Sequence, residues 1–173
     1  MPSTDRDTEH EPATVTEADW ERRKQFVGFG PMDQAILREL HLVARSYADE
    51  IMDELYRRWL EDGELKKFFP DEATLARVKE LQKAYFISLT NGNYGSQYLA
   101  HRLHIGRVHK RIGLSPRWYM GSYAVYMELV LPKVLQAFEY DRSKQRRAIT
   151  ALTKIISLDQ ELALVAYWGK PVT

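Results

Sequence analysis

The chain is 173 residues long, enough for one domain with a sizeable core, and it is 45% apolar and 28% charged, proportions ordinary for a soluble globular protein. It has no cysteine, which excludes disulfides, thiolate ligation of a metal or cluster, and a cysteine nucleophile. The net charge of +1 hides an asymmetry, since residues 1–19 carry six acids against Arg6 and the remainder is therefore net basic. The nearest thing to a basic cluster is Arg142, Lys144, Arg146 and Arg147, which reads as a solvated helix start. No apolar run approaches the ~18–20 residues of a membrane span, and the acidic start is unlike a targeting peptide. The expectation is a cytoplasmic protein that binds neither nucleic acid nor membrane.

In chain order, residues 1–15 read as a flexible acidic tail, and 16–173 as one domain. Thr16 with Asp19 is a capping signature for a short helix reaching about Val27, where Gly28, Gly30 and Pro31 end it. Asp33 can cap a second helix with Ile36, Leu37, Leu40 and Val43 at helical spacing. A further helix carries Ile51, Met52, Leu55, Tyr56, Trp59 and Leu60, and Gly63 breaks it. Leu65, Phe68 and Phe69 make a short apolar turn before Pro70. Asp71 opens a helix with Leu75, Val78, Leu81, Gln82, Tyr85 and Leu89 along one side.

Gly92 and Gly95 bracket a loop before a helix over about 96–112. Ser115 and Pro116 start another, which runs to about Phe138 with Pro132 kinking it. A last helix runs from about Asp141 to Trp168, ending before Gly169 and Pro171. It bears two apolar stripes, one with Ile149, Leu152, Ile156 and Ala163, the other with Ile155, Leu158, Leu162 and Val165. Two stripes suit either deep burial in one chain or a helix shared between core and partner. Period-2 alternation is nearly absent. The fold class is all-α.

Among the five histidines, His104 and His109 lie ~140° apart on their helix, so a three-histidine zinc site with His101 does not form there. His109 sits beside Ile105, Val108 and Ile112 on the apolar side. It reads either as a core histidine donating to a backbone carbonyl or as the single imidazole ligand of a haem iron in an all-helical protein. Tyr56, in the middle of an apolar face, needs a hydrogen-bond partner if it is buried. Phosphate loops, nucleophile elbows, HExxH and covalent haem-attachment motifs are all lacking.

The run from Ile105 to Gly121, I-x-x-x-H-x-R-I-G-L-x-P-x-W-Y-M-G, resembles the globin domain of globin-coupled sensors, in particular the haem-based aerotaxis transducers. Leu55-Tyr56, Gly92-x-Tyr94 and Thr153-Lys-Ile-Ile-x-Leu-Asp-Gln match as well, so the resemblance covers about Trp20 to Trp168. It implies a globin fold with an extra N-terminal helix and no separate D helix. The last two long helices would form a homodimer interface. It implies haem b ligated by His109 and a diatomic gas, O2, CO or NO, bound on the other face. Tyr56 matches the distal tyrosine that donates to the gas. Phe68 or Phe69 matches the phenylalanine packed on the haem, while Val78 and Leu81 match the distal helix facing the pocket.

Ile105, Ile112, Trp118 and Tyr119 fall on the His109 side, and Tyr119 matches a tyrosine that responds to ligand state. Leu81 departs from relatives that have a threonine there, which leaves gas stabilisation mainly to Tyr56. The activity implied is sensing rather than catalysis, with an output module at the C-terminal side lying outside this chain. Two alternatives stay open: a stand-alone globin that binds or scavenges O2 or NO, and a haem-free helical dimerisation module.

Overall fold

The structure is a computed structural model that describes residues 15–168. Among them are seven helices: α1 (Glu17–Phe26), α2 (Pro31–Glu61), α3 (Gly63–Lys66), α4 (Glu72–Ser88), α5 (Ser96–Arg111), α6 (Pro116–Ala137) and α7 (Arg142–Trp168). Apart from Val15, the expected acidic tail lies outside the described residues, as do Gly169 and Pro171. Val15 itself is buried in the core.

Most helix starts follow the local chemistry. Thr16 accepts from the Asp19 amide at 3.1 Å, Asp62 from Glu64 and Leu65, and Asp71 from Thr74 at 2.7 Å. Two readings need correction. The helices expected on either side of residue 50 are one continuous 31-residue helix, α2, because no glycine or proline interrupts 32–62. It is capped at Gly30 rather than Asp33, and the Asp33 carboxylate accepts the Gly30 amide at 2.9 Å. Gly63, expected as a breaker, opens the short helix α3. No helix lies between Lys66 and Glu72, and α6 continues as one element through Pro132.

Helix α7 is the central element, packing on α5, α2 and α6, while α2 also packs on α4 and α6. Both α7 stripes are buried within this one chain: Leu152, Ile156 and Ala163 on one side, Ile155, Leu158, Leu162 and Val165 on the other. Helix α1 is pinned by Trp20, which stacks on Tyr98 and donates its indole N–H to the Tyr94 carbonyl at 2.7 Å. No described helix is long and apolar enough to cross a membrane.

The α5–α7 crossing is the tightest contact. A Cβ placed on Gly106 would lie 2.7 Å from Ala166 Cβ and 2.8 Å from the Ala163 carbonyl oxygen, so only glycine fits without a shift. One turn earlier on each helix, Arg102 Nε donates to Asp159 Oδ1 at 2.7 Å, with both side chains excluded from solvent. Gly106→Ala is expected to lower stability by about 1–3 kcal/mol through overpacking, despite alanine's better helix propensity. Gly121→Ala, where a Cβ meets nothing within 4 Å, should instead raise it by about 0.5–1 kcal/mol. Urea unfolding of the two variants decides whether close approach or backbone entropy dominates at Gly106.

Candidate functional site

The end of α5 explains how His109 is placed. Gly113 takes φ +76°, its amide donates to the Lys110 carbonyl, and the Leu114 amide donates to the His109 carbonyl at 3.0 Å. This is a Schellman closure, and it needs a residue free to adopt positive φ at position 113. The turn folds Leu114 back beside His109, and Pro116 then starts α6 in a new direction. The I-G-L-x-P stretch is thus a geometric device that holds His109 in the last turn of α5, facing α6.

His109 lines a cleft of about 120 Å³, open to solvent on one side. Trp59, Leu65, Phe68, Phe69 and Val78 line it from α2 to α4, Ile112, Leu114, Trp118 and Tyr119 from the α5–α6 turn, and Gln82, Tyr85, Ser122, Tyr123 and Tyr126 complete the lining. The aromatic and aliphatic lining suits a flat apolar ligand. Burial holds the imidazole neutral, with its pKa pushed down to about 4. Its Nδ1 is buried with no hydrogen-bond partner. The carbonyl partner that a core histidine would have at this nitrogen is not found among the described residues.

Tyr56 is buried and its hydroxyl likewise has no partner. Its ring packs on Trp59 at 4.9 Å and on Phe69 at 5.4 Å, just behind the wall those two side chains make. Phe68 and Phe69 both reach the cleft, as do Val78, Trp118 and Tyr119. The Trp118 indole N–H is anchored to Glu64 Oε2 at 2.8 Å, tying α6 to α3. Ile112 lines the cleft while half exposed at its mouth.

Two expectations about lining residues are corrected. Leu81 is 61% exposed and does not reach the cleft; Gln82 does. The face of α4 that meets the cleft runs through Val78, Gln82 and Tyr85, and position 81 falls ~60° off Val78 toward solvent. Ile105 is half-buried but does not line the cleft, which opens at the C-terminal turn of α5, beyond it.

A polar cluster behind the cleft escaped sequence reasoning. Asp159 on α7 accepts from Arg102, Tyr98 at 2.8 Å, Tyr123 at 2.9 Å and Tyr85. The Arg102 guanidinium is sandwiched between the Tyr85 and Tyr98 rings, 3.9 and 4.3 Å from their centroids. Tyr119 joins the cluster through Tyr123 at 2.8 Å and Tyr85 at 3.1 Å. The only hint in the sequence was the count of ten tyrosines. Gln82, the other omission, donates its amide to the Tyr126 hydroxyl at 2.6 Å.

A single neutral imidazole facing an aromatic-walled apolar cleft, inside an all-helical domain, defines a globin-type binding domain. The Protoglobin family model matches residues 16–170, and the chain belongs to the protoglobin family. It is 27% identical to the heme-based aerotactic transducer HemAT of Halobacterium salinarum, over 88% of this chain and 33% of that protein. The chain therefore spans about a third of that relative's length. Among solved structures it is similar to the globin domain of a Geobacter sulfurreducens globin-coupled sensor. The TM-score is 0.81 at 23% identity, over 85% of this chain and 96% of the other. It is also similar to the ferric globin domain of Escherichia coli DosC, with TM-score 0.70 at 16% identity, over 85% and 98%. The fold is that of the globin domains of globin-coupled sensors.

Removing an orphaned buried hydroxyl removes a desolvation cost. In ligand-free protein, Tyr56→Phe should leave stability unchanged or raise it by up to about 1 kcal/mol. A clear loss in a denaturant titration would mean that the hydroxyl has a structural partner.

Proposed function

We propose that this chain is a haem-b-binding gas-sensor domain, with O2 as its leading ligand and CO or NO as others of the same class. The observation that carries the reading is His109, a neutral imidazole on the wall of an apolar cleft with its Nδ1 buried and unpartnered. A neutral imidazole can offer a ring nitrogen to a metal, and no described cluster of three or more His, Asp or Glu offers a rival metal site. Haem, when bound, supplies an iron that takes up diatomic gases reversibly.

The residues present fit that group. His109 ligates, Phe68, Phe69, Trp59 and Leu114 give flat apolar walls, and Trp118 with Ile112 frames the mouth. Tyr56 is a buried hydroxyl with nothing to donate to in this structure, as a donor reserved for a ligand would be. A small movement of Trp59 and Phe69 would open its path to the cleft. Gln82 adds a second polar group on that side. Its amide is held by Tyr126, which leaves its carbonyl oxygen free to accept.

The names of the relatives support sensing as the role, with output from a module outside these residues. Catalysis is not assigned to this chain, and a cytoplasmic location follows from the same reading. Dimerisation through α6 and α7 is part of the proposal and draws on the resemblance, because both apolar stripes of α7 are used inside one chain. The face left for a partner runs along Thr150, Thr153 and Ser157, with Leu164 half-buried beside it.

Protein loaded with haem should show a Soret band that shifts on addition of O2 or CO, and His109→Ala should lose haem on gel filtration. A wild-type protein with no Soret band would support a haem-free dimerisation module instead. Tyr56→Phe should speed O2 release roughly tenfold, the loss of about one hydrogen bond. Hydrogen exchange on α7 that is identical with and without gas would favour a stand-alone globin over a sensor.

A further inference from the structure

The cluster behind His109 is a closed set of hydrogen bonds around one carboxylate. The Asp159 carboxylate has about four lone-pair positions, and all are taken: Oδ1 by Tyr98 and Arg102, Oδ2 by Tyr85 and Tyr123. Each phenol carries one proton. The Tyr85, Tyr119 and Tyr123 hydroxyls also lie within hydrogen-bond reach of one another, with Tyr119 2.8 Å from Tyr123 and 3.1 Å from Tyr85, so their three protons are shared within the cluster and the Tyr119 hydroxyl faces inward. Burial, then the charge of Asp159, raises the pKa values of these phenols, so the protons stay on them.

Arg102 fixes the other end. It is buried, with Nε on Asp159, Nη2 on Ser88 Oγ at 2.7 Å, and its plane between two tyrosine rings. The carboxylate therefore cannot rotate without unstacking a buried guanidinium. At the near end, the Tyr119 ring lies 5.1 Å from the His109 ring at 55°.

We propose that Asp159, locked by Arg102, is a positioning residue for the His109 side of the cleft: through the hydroxyls of Tyr85 and Tyr123 it draws the Tyr119 hydroxyl inward and holds its ring against the imidazole. Because Asp159 sits on α7 and Arg102 on α5, the setting of the imidazole is tied to how these two helices cross. A change at His109 then reaches α7 through four side chains, without passing through the backbone. The inference rests on the reading of His109 as the haem ligand.

The test is the iron–histidine stretching band in resonance Raman spectra of ferrous, gas-free, haem-loaded protein. Tyr119→Phe and Asp159→Asn should both move the band while the protein keeps its haem. In the double variant the Asp159→Asn effect should vanish, because Asp159 acts through Tyr119. Shifts that simply add in the double variant, or an unmoved band in Asp159→Asn, would overturn the proposal. Should Asp159→Asn fail to fold with Arg102 unpaired, Tyr123→Phe decides, since it leaves the ion pair intact and removes the shorter of the two Tyr119 contacts. It should move the band in the same direction as Tyr119→Phe, and an unmoved band there overturns the proposal. A wild type that binds no haem would instead sink the ligand reading of His109.

Discussion

The close crossing of α5 and α7 is the constraint on which the rest of this protein depends. Gly106 lets the backbones approach until its α-carbon meets Ala163 and Ala166, and one turn away the buried Arg102–Asp159 pair bridges the same two helices. A buried ion pair is weak evidence of stability, since desolving two charges offsets most of their attraction. Its larger effect is on specificity. An Arg102 or Asp159 in any other register would be an uncompensated buried charge, costing about 3–5 kcal/mol. The pair therefore fixes how α5 sits on α7, and His109 rides on α5.

The site follows from that placement. Helix α5 ends in a Schellman turn immediately past His109, and α6 leaves it with Tyr119 packed on the imidazole. Helix α4 brings Val78, Gln82 and Tyr85 to the opposite side, while α2 supplies Trp59 and, behind it, Tyr56. The polar atoms in and behind the cleft divide into two kinds. Those of Tyr85, Tyr119, Tyr123 and Tyr126 are all paired. The Tyr56 hydroxyl and His109 Nδ1 are buried and unpaired. Buried polar groups are normally satisfied, so these two carry a cost that folding alone does not explain. Such strain is what a site shaped for a ligand retains.

Much of the architecture was legible in the residues. Helical spacing and capping marked six of the seven observed helices, with α3 read as a turn, because caps and glycines act locally. The exceptions were also local: Asp33 acts from the third helical position of α2, and the missing breaker between 32 and 62 made one helix of two. His109 and Tyr56 stood out as polar groups on apolar faces; Tyr56 is buried and His109 half-buried. Leu81 did not hold, because spacing alone left its helix face ambiguous by about one position, and that decided between Leu81 and Gln82.

The sequence by itself determined the all-helical class, the placement of His109 at a helix end, and the I-G-L-x-P turn that puts it there, all short-range properties. Only the tertiary structure decided three further matters. Both apolar stripes of α7 are spent inside one chain, since burial depends on how many neighbours a helix has and not on its own period. Asp159 collects Arg102 and three tyrosines from α4, α5 and α6, a convergence with no signature along the chain because its members lie 36 to 74 residues from Asp159. And the imidazole of His109 has no partner of its own, a fact about every neighbour at once that no single stretch of sequence can carry.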